Sequence, residues 1–389
     1  MSNFLHLRAR RSQRSFSSIR ENLSGVDRVL MLAVGALLIL GSLLVWAATR
    51  SWFAAQNLDP QYYLKRHIVN IVIGGLLAYG TTLIDYRMIR AYTPFLWGLG
   101  VLGLMFVLLP GVGSTVNGAK SWIGLPGGFQ LQPAELAKIS VIAGMAMLLS
   151  EIRDIDSLPS HSDVMKALGV ALVPMALIML QPDLGEALII SAAVIGIIAV
   201  SGAPSRWVIG LLLVGVLTSV VAVKAGVIHE YQVKRLQSFV DPSADPQQSG
   251  YQLRQSRITI GSGGVLGRGL FNGPQTNGRF VPEQQTDFIF TVAGEELGFV
   301  GSGFILICFM IFFYRAFLIA RRTNDPFGRL VCVGVIAWFA FQTFENIGMT
   351  MGLMPMTGVP LPFMSYGGSS MFANLVGLGL LQNVHIRSR

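Results

Sequence analysis

A chain of 389 residues that is 52% hydrophobic and only 13% charged is not a soluble enzyme, a disordered protein or a disulfide scaffold, because soluble domains carry about 25% charged residues. Its 29 Lys and Arg outweigh 20 Asp and Glu, a formal charge of +9. With a mean hydropathy of +0.58, that surplus points to anionic lipid and the positive-inside bias of membrane proteins rather than to nucleic acid.

Residues 1–25 are polar and basic, and the apolar run from Val26 to Thr49 is longer than a signal-peptide core. The expectation is a basic cytoplasmic tail followed by an uncleaved first span. A membrane helix needs roughly 20 apolar residues, and such runs lie at about 26–48, 67–84, 92–110, 134–150, 166–181, 185–202, 206–225, 288–314, 330–354 and 368–384. They are continuous, not alternating, which argues against a lipid-exposed β-barrel. Residues 26–389 therefore read as one all-α integral membrane domain of about ten transmembrane helices, with a large extracytoplasmic loop, 226–287, between the seventh and eighth. The tail arginines, Arg87, Arg90, Arg153, Lys166, Arg206, Arg315, Arg321, Arg322, Arg329, Arg387 and Arg389 collect on one side. That side is assigned to the cytoplasm, with both termini there.

Polar residues gather at the other side. A Gly-rich loop spans 111–133, and Gln132-Pro133-Ala134-Glu135-Leu136-Ala137-Lys138 opens the fourth span. Glu135 and Lys138 share a helix face at that spacing, which a helix-start ion pair explains as well as a site does. Gln181-Pro182-Asp183-Leu184-Gly185-Glu186 reverses the chain between the fifth and sixth spans, where Asp183 suits a cap or a cavity. The 226–287 loop holds Lys224, Lys234, Arg235, Arg254, Arg257, Arg268 and Arg279 at or near it, a surface for solvent or for phosphate. Its glycine stretch, Ile260 to Gly269 with Ser262, fails the nucleotide fingerprints and reads as a turn or an anion nest.

Asp287 stands at the start of the eighth span. On a continuous helix Thr291 and Glu295 fall near its face, with Glu295 and Glu296 about 12 Å deeper, so a polar cavity or a cationic partner is expected there. Glu345-Asn346 lies within the ninth span. Pro355, Gly358, Pro360 and Pro362 then break the chain before Ser365-Tyr366-Gly367-Gly368-Ser369-Ser370, so irregular backbone covered by protein or a water-filled cavity is expected. Cys308 and Cys332 sit in apolar runs as packing residues.

Several of these segments together resemble the SEDS family (shape, elongation, division and sporulation). They are Asn117-Gly118-Ala119-Lys120-Ser121-Trp122-Ile123, the Gln132–Lys138 and Gln181–Gly185 segments, Tyr251-Gln252, Gln255-Ser256, Ile260–Gly264, Pro282-Glu283, Thr286-Asp287-Phe288-Ile289-Phe290, Glu295-Glu296-Leu297-Gly298 and Pro362–Ser370. The resemblance runs from about residue 26 to the end. Ala134, Thr259 and Glu186 depart from it, and Glu186 adds a carboxylate where a small or hydroxyl residue is common.

The resemblance implies a peptidoglycan glycosyltransferase of the bacterial cytoplasmic membrane. Such an enzyme polymerises lipid-linked disaccharide-peptide (lipid II) on the outer face, with undecaprenyl pyrophosphate leaving. It implies that Asp287 is catalytic, as the general base for the acceptor 4-hydroxyl. Lys138, Arg254 and Arg257 would then stabilise the pyrophosphate, Trp122 would line the lipid or sugar path, and Glu135 and Asp183 would shape the cavity. Ser262, Glu295 and Ser365 would complete the substrate-binding set. A divalent cation, Mg or Mn, would accompany the pyrophosphate. The partners would be a class B penicillin-binding protein, a transpeptidase, and other elongation-complex membrane proteins, with no nucleic acid. The segment Tyr231-Gln232-x-x-Arg235-Leu236-x-x-Phe239 leans to the elongation branch over the division branch. The alternatives from other classes are a flippase for the same lipid and a non-catalytic scaffold.

Overall fold

A computed structural model of the chain describes residues 25–388 apart from 117–118, 152–157, 225–229 and 242–244. The basic tail, Arg153 and Asn117-Gly118 thus lie outside the described residues. The fold is a helical bundle: α1 Arg28–Ala55, α2 Tyr62–Leu83, α3 Tyr86–Leu108, α4 Pro133–Leu149, α5 His161–Leu180, α6 Leu184–Val200 and α7 Arg206–Lys224. Three short helices, α8 Glu230–Val240, α9 Ser249–Ser262 and α10 Pro274–Asn277, precede α11 Ile289–Glu296, α12 Gly298–Arg322, α13 Pro326–Met351 and α14 Gly368–Arg387. All ten expected apolar runs fall on helix, with edges moved by a few residues. Five of these helices are long and apolar enough, by length and composition, to cross a membrane.

Lipid gives helices little hydrophobic reason to associate, so close packing through small residues has to hold such a bundle. A Cβ at Gly379 of α14 would run into Ala78 and Thr81 of α2, and one at Gly196 of α6 into Ala337 of α13. Rings fill the centre, with Phe339 of α13 lying 5.2 Å from Phe363 and 5.5 Å from Phe312 of α12. At the end where α1 starts, buried Asp27 caps that helix through Leu30 N–H at 3.0 Å and accepts from Arg315 Nε of α12 at 3.0 Å. Its own N–H donates to Gln382 Oε1 of α14 at 2.9 Å, joining the two ends of the chain.

Three features of the opposite end correct the sequence reading. First, the domain is not purely helical. Gly113–Val116 (β1), Ala119–Leu125 (β2) and Phe129–Leu131 (β3) form an antiparallel sheet in that order, with Ser114 opposite Trp122 and Gly124 opposite Gln130. The glycines that suggested a loop supply the turn at Gly128, whose φ is +73°. Second, the 226–287 segment carries α8, α9 and α10. Third, the expected eighth helix breaks at Leu297, where Gly298 takes φ +65°. A Cβ at Gly298 would collide with Gly267, and one at Gly263 with Gly294. The glycine stretch is therefore a site of close backbone packing against this break. Part of its backbone is spent there: Arg268 N–H donates to Glu295 O at 2.9 Å and Gly269 N–H to Glu296 O at 3.0 Å, while Gly264 O accepts from Phe299 N–H at 2.9 Å.

Candidate active site

The sheet, α8 and two irregular segments enclose a cavity of about 340 Å³ at the loop-bearing end of the bundle. Arg66 and Asn70 of α2, Trp122 of β2, Asp183 and Glu186 at the α5–α6 turn, and Gln232 and Arg235 of α8 all face it. Further lining comes from Glu283, Thr286 and Asp287, from the 355–360 segment, and from Tyr366 to Gly368 with Ser370.

Asp287 is held by its backbone. Its N–H donates to Glu283 O at 3.1 Å, and its carbonyl accepts from Asn346 Nδ2 of α13 at 2.7 Å. The same Nδ2 reaches Val359 O at 2.8 Å, so one buried amide ties Asp287 to the irregular segment after α13. Two neighbours on α13 extend this clamp. Gln342 donates to Pro360 O at 2.7 Å, and Glu345 accepts from Thr357 Oγ1 at 3.0 Å. Gly358, with φ +78°, leaves room for the carboxylate, because a Cβ there would lie 3.2 Å from Asp287 Oδ2. Burial, reinforced by the Glu283 carboxylate and opposed by Arg235, pushes the Asp287 carboxyl up to about 6. A carboxylate in that range accepts a proton more readily than an ordinary Asp.

Asp183 caps α6 by accepting from Glu186 N–H at 3.2 Å, and its other oxygen accepts from Gln132 Nε2 at 2.9 Å. Burial raises its carboxyl, and the Glu186 charge adds to the effect. Behind this wall Lys138 Nζ pairs with Glu135 at 2.8 Å and with Glu186 at 3.1 Å, the side chains being 4% exposed or less. Its charge also lies 4.8 Å from the Trp338 ring. Lys138 is thus engaged by two buried carboxylates, and Glu186, the departure from the family pattern, is one of them. Removing one partner of such a cluster costs about 3–5 kcal/mol.

Of the residues singled out from the sequence, the fold brings Trp122, Asp183 and Asp287 to the cavity, with Glu135 and Lys138 one layer behind Glu186. The others sit elsewhere. Arg257 caps α13, its Nε and Nη2 donating to Met351 O at 3.3 Å and Gly352 O at 3.1 Å. Exposed Arg254 donates to Pro246 O at 3.2 Å. Glu295 does not share a continuous helix with Asp287. Its carboxylate accepts from Gln275 N–H at 2.8 Å, Thr276 N–H at 2.7 Å and Ser262 Oγ at 3.2 Å, fastening α10 and the end of α9. Ser365 Oγ accepts from Leu361 N–H at 2.8 Å within the irregular segment. Sequence reasoning passed over Arg66, Asn70, Arg235, Glu283 and Ser370. Arg235, Glu283 and Ser370 lay inside quoted segments, whereas nothing in the apolar run of α2 marked Arg66 or Asn70.

A family model described as "Cell cycle protein", covering FtsW, RodA and SpoVE, matches residues 28–389. Stage V sporulation protein E of Bacillus subtilis is 37% identical over 93% of this chain and 98% of its own. A probable peptidoglycan glycosyltransferase FtsW of Trichlorobacter lovleyi is 38% identical over 93% of each chain. The peptidoglycan glycosyltransferase MrdB of Escherichia coli is 33% identical over 92% of this chain and 93% of its own. Among solved structures, one concerned with polymerization and crosslinking by a peptidoglycan synthase complex superposes with a TM-score of 0.76 at 31% identity, covering 92% of this chain and 97% of that one. The rod-shape-determining protein RodA of Thermus thermophilus superposes at 0.67 with 29% identity, covering 93% and 97%.

Proposed function

The chain belongs to the FtsW, RodA and SpoVE family, and from that premise we propose that it is a peptidoglycan glycosyltransferase. It polymerises lipid-linked disaccharide-peptide at the outer face of the bacterial cytoplasmic membrane. The observation that carries the chemistry is Asp287, one of the cavity's carboxylates, clamped by its backbone and pushed up to about 6. The acceptor sugar's 4-hydroxyl bonds to the donor's anomeric carbon and passes its proton to Asp287. The bond from that carbon to the pyrophosphate oxygen breaks, and its electrons leave with undecaprenyl pyrophosphate. Proton removal by a positioned base contributes typically 10²–10⁴-fold.

Relatives of comparable identity come from the division, elongation and sporulation branches. The Tyr231–Phe239 segment supports the elongation branch for this chain. The neighbour from a complex that polymerizes and crosslinks supports a transpeptidase partner, a class B penicillin-binding protein. Among the described residues no three His, Cys, Asp or Glu side chains form a metal site. We propose a divalent cation, Mg or Mn, as a counter-ion that arrives with the substrate's pyrophosphate.

The test is polymerisation of labelled lipid II by purified protein, with and without the transpeptidase. Asp287→Asn keeps size and capping ability, since Asn caps as well as Asp, but removes the base. Polymerisation should fall about a hundredfold or more, with folding unchanged. Near-normal polymerisation by a folded Asp287→Asn protein would reduce Asp287 to a structural residue. A wild-type protein that moves lipid II across vesicles without polymerising it would favour transport.

A further inference from the structure

The cavity's acids, Asp183, Glu186, Glu283 and Asp287, come from the α5–α6 turn and from the segment before α11. The part of the lining built by α2 and the start of α14 holds none. Three features converge there. The 20-residue helix α14 begins at Gly368, its N-cap Gly367 offers no side-chain cap, and Gly367, Gly368 and Ser370 face the cavity. Its first amides and its dipole therefore point into the space, which favours an anion. By contrast α6, which also starts at the cavity, is closed by Asp183. Arg66 is the second feature. Its guanidinium lies 4.9 Å from the Tyr62 ring and 5.6 Å from the Phe129 ring and donates to Gly128 O at 3.0 Å. This holds a planar fork of donors beside the helix start. The third is Asn70, only 2% exposed and facing the cavity, whose Oδ1 has no hydrogen-bond partner. A Cβ at Gly368 would lie 3.6 Å from that oxygen, so the amide abuts the first turn of α14. A buried acceptor of this kind calls for a donor, which an anion alone does not supply.

We propose that this corner binds the donor end of a glycosyl pyrophosphate: the α14 N-terminus and Arg66 take the pyrophosphate, and Asn70 takes an N–H or O–H of the attached N-acetyl sugar. The inference rests on the glycosyltransferase reading for its substrate. It moves the leaving group away from Lys138, Arg254 and Arg257, which do not line the cavity. It also orients the reaction, with negative charge departing at α14 while the acceptor hydroxyl meets Asp287.

The experiment is direct binding of undecaprenyl pyrophosphate, undecaprenol and lipid II to the purified full-length chain. Wild type should prefer undecaprenyl pyrophosphate to undecaprenol. Arg66→Gln should weaken undecaprenyl pyrophosphate about tenfold, and Arg66→Lys, which keeps the charge but loses the planar fork and its stacking on the rings, should recover only part of that loss. Asn70→Leu should weaken lipid II about tenfold and leave undecaprenyl pyrophosphate, which has no sugar, unchanged. Equal affinity of Arg66→Gln and wild type for undecaprenyl pyrophosphate would overturn the site, as would an equal effect of Asn70→Leu on both lipids. Because binding is the readout, a wild type that fails to polymerise would sink the activity and leave these outcomes intact.

Discussion

Asp287 is fixed through its main chain, so the side chain that carries the proposed chemistry depends on one amide that never touches it. Asn346→Ala would leave the carbonyls of Asp287 and Val359 unpaired in a buried place, each costing about 1–3 kcal/mol. The expected result is a kcat about tenfold lower or more, with KM little changed. Gln342→Ala serves as the comparison, because it frees Pro360 O and not Asp287. It should lower the Tm similarly and kcat much less, and equal kcat losses would refute a positioning role for Asn346. The Asp287 carboxyl itself sets a pH dependence. A base works ionised, so with a value near 6 the rate should sit on a plateau above about pH 7 and fall tenfold per unit below about 6. Glu283→Gln removes a neighbouring negative charge and should move that limb to lower pH.

Helices α9 to α11 show what the loop's charged residues do as elements. Glu295 gathers two backbone amides of α10 and the Ser262 hydroxyl of α9, and Arg257 closes the C-terminus of α13 at Gly352, whose φ is +74°. Glu295→Ala should therefore cost about 2–4 kcal/mol in unfolding free energy. Arg257→Ala should cost about 1 kcal/mol while polymerisation stays within about threefold of wild type. A hundredfold loss of turnover in Arg257→Ala at unchanged stability would return that arginine to the pyrophosphate.

Across the whole molecule the cavity, the sheet and α8 lie at one end, and Asp27, Arg315 and Gln382 meet at the other. The placement of arginines supports the proposal that the cavity end faces outside. Cys308 and Cys332 are both buried, so single cysteines can report the orientation without background. Gln247→Cys should react with an impermeant maleimide from outside intact cells, and Ser205→Cys only after permeabilisation. The reverse pattern would invert the assignment and place the cavity in the cytoplasm.

Hydropathy alone located the apolar helical segments, because a span must satisfy its own backbone in lipid and so declares itself by continuous apolar length; five of the described helices are long and apolar enough to cross a membrane. Local sequence likewise singled out Asp287 and Asp183 at the ends of apolar runs, and the resemblance singled out Trp122; all three line the cavity. The partners of the charges were settled only by tertiary structure. The family resemblance put Lys138, Arg257 and Glu295 in the substrate-binding set, yet each is engaged by groups that other elements supply: Glu186 for Lys138, the Met351 and Gly352 carbonyls for Arg257, and the α10 amides for Glu295. The break at Leu297 came from the approach of Gly263 and Gly267, distant in sequence, and it turned Glu295 from the cavity to α10. Arg66 and Asn70 went unmarked because a polar residue inside an apolar helix acquires meaning only from what faces it, and what faces them is the open end of α14, some 300 residues away.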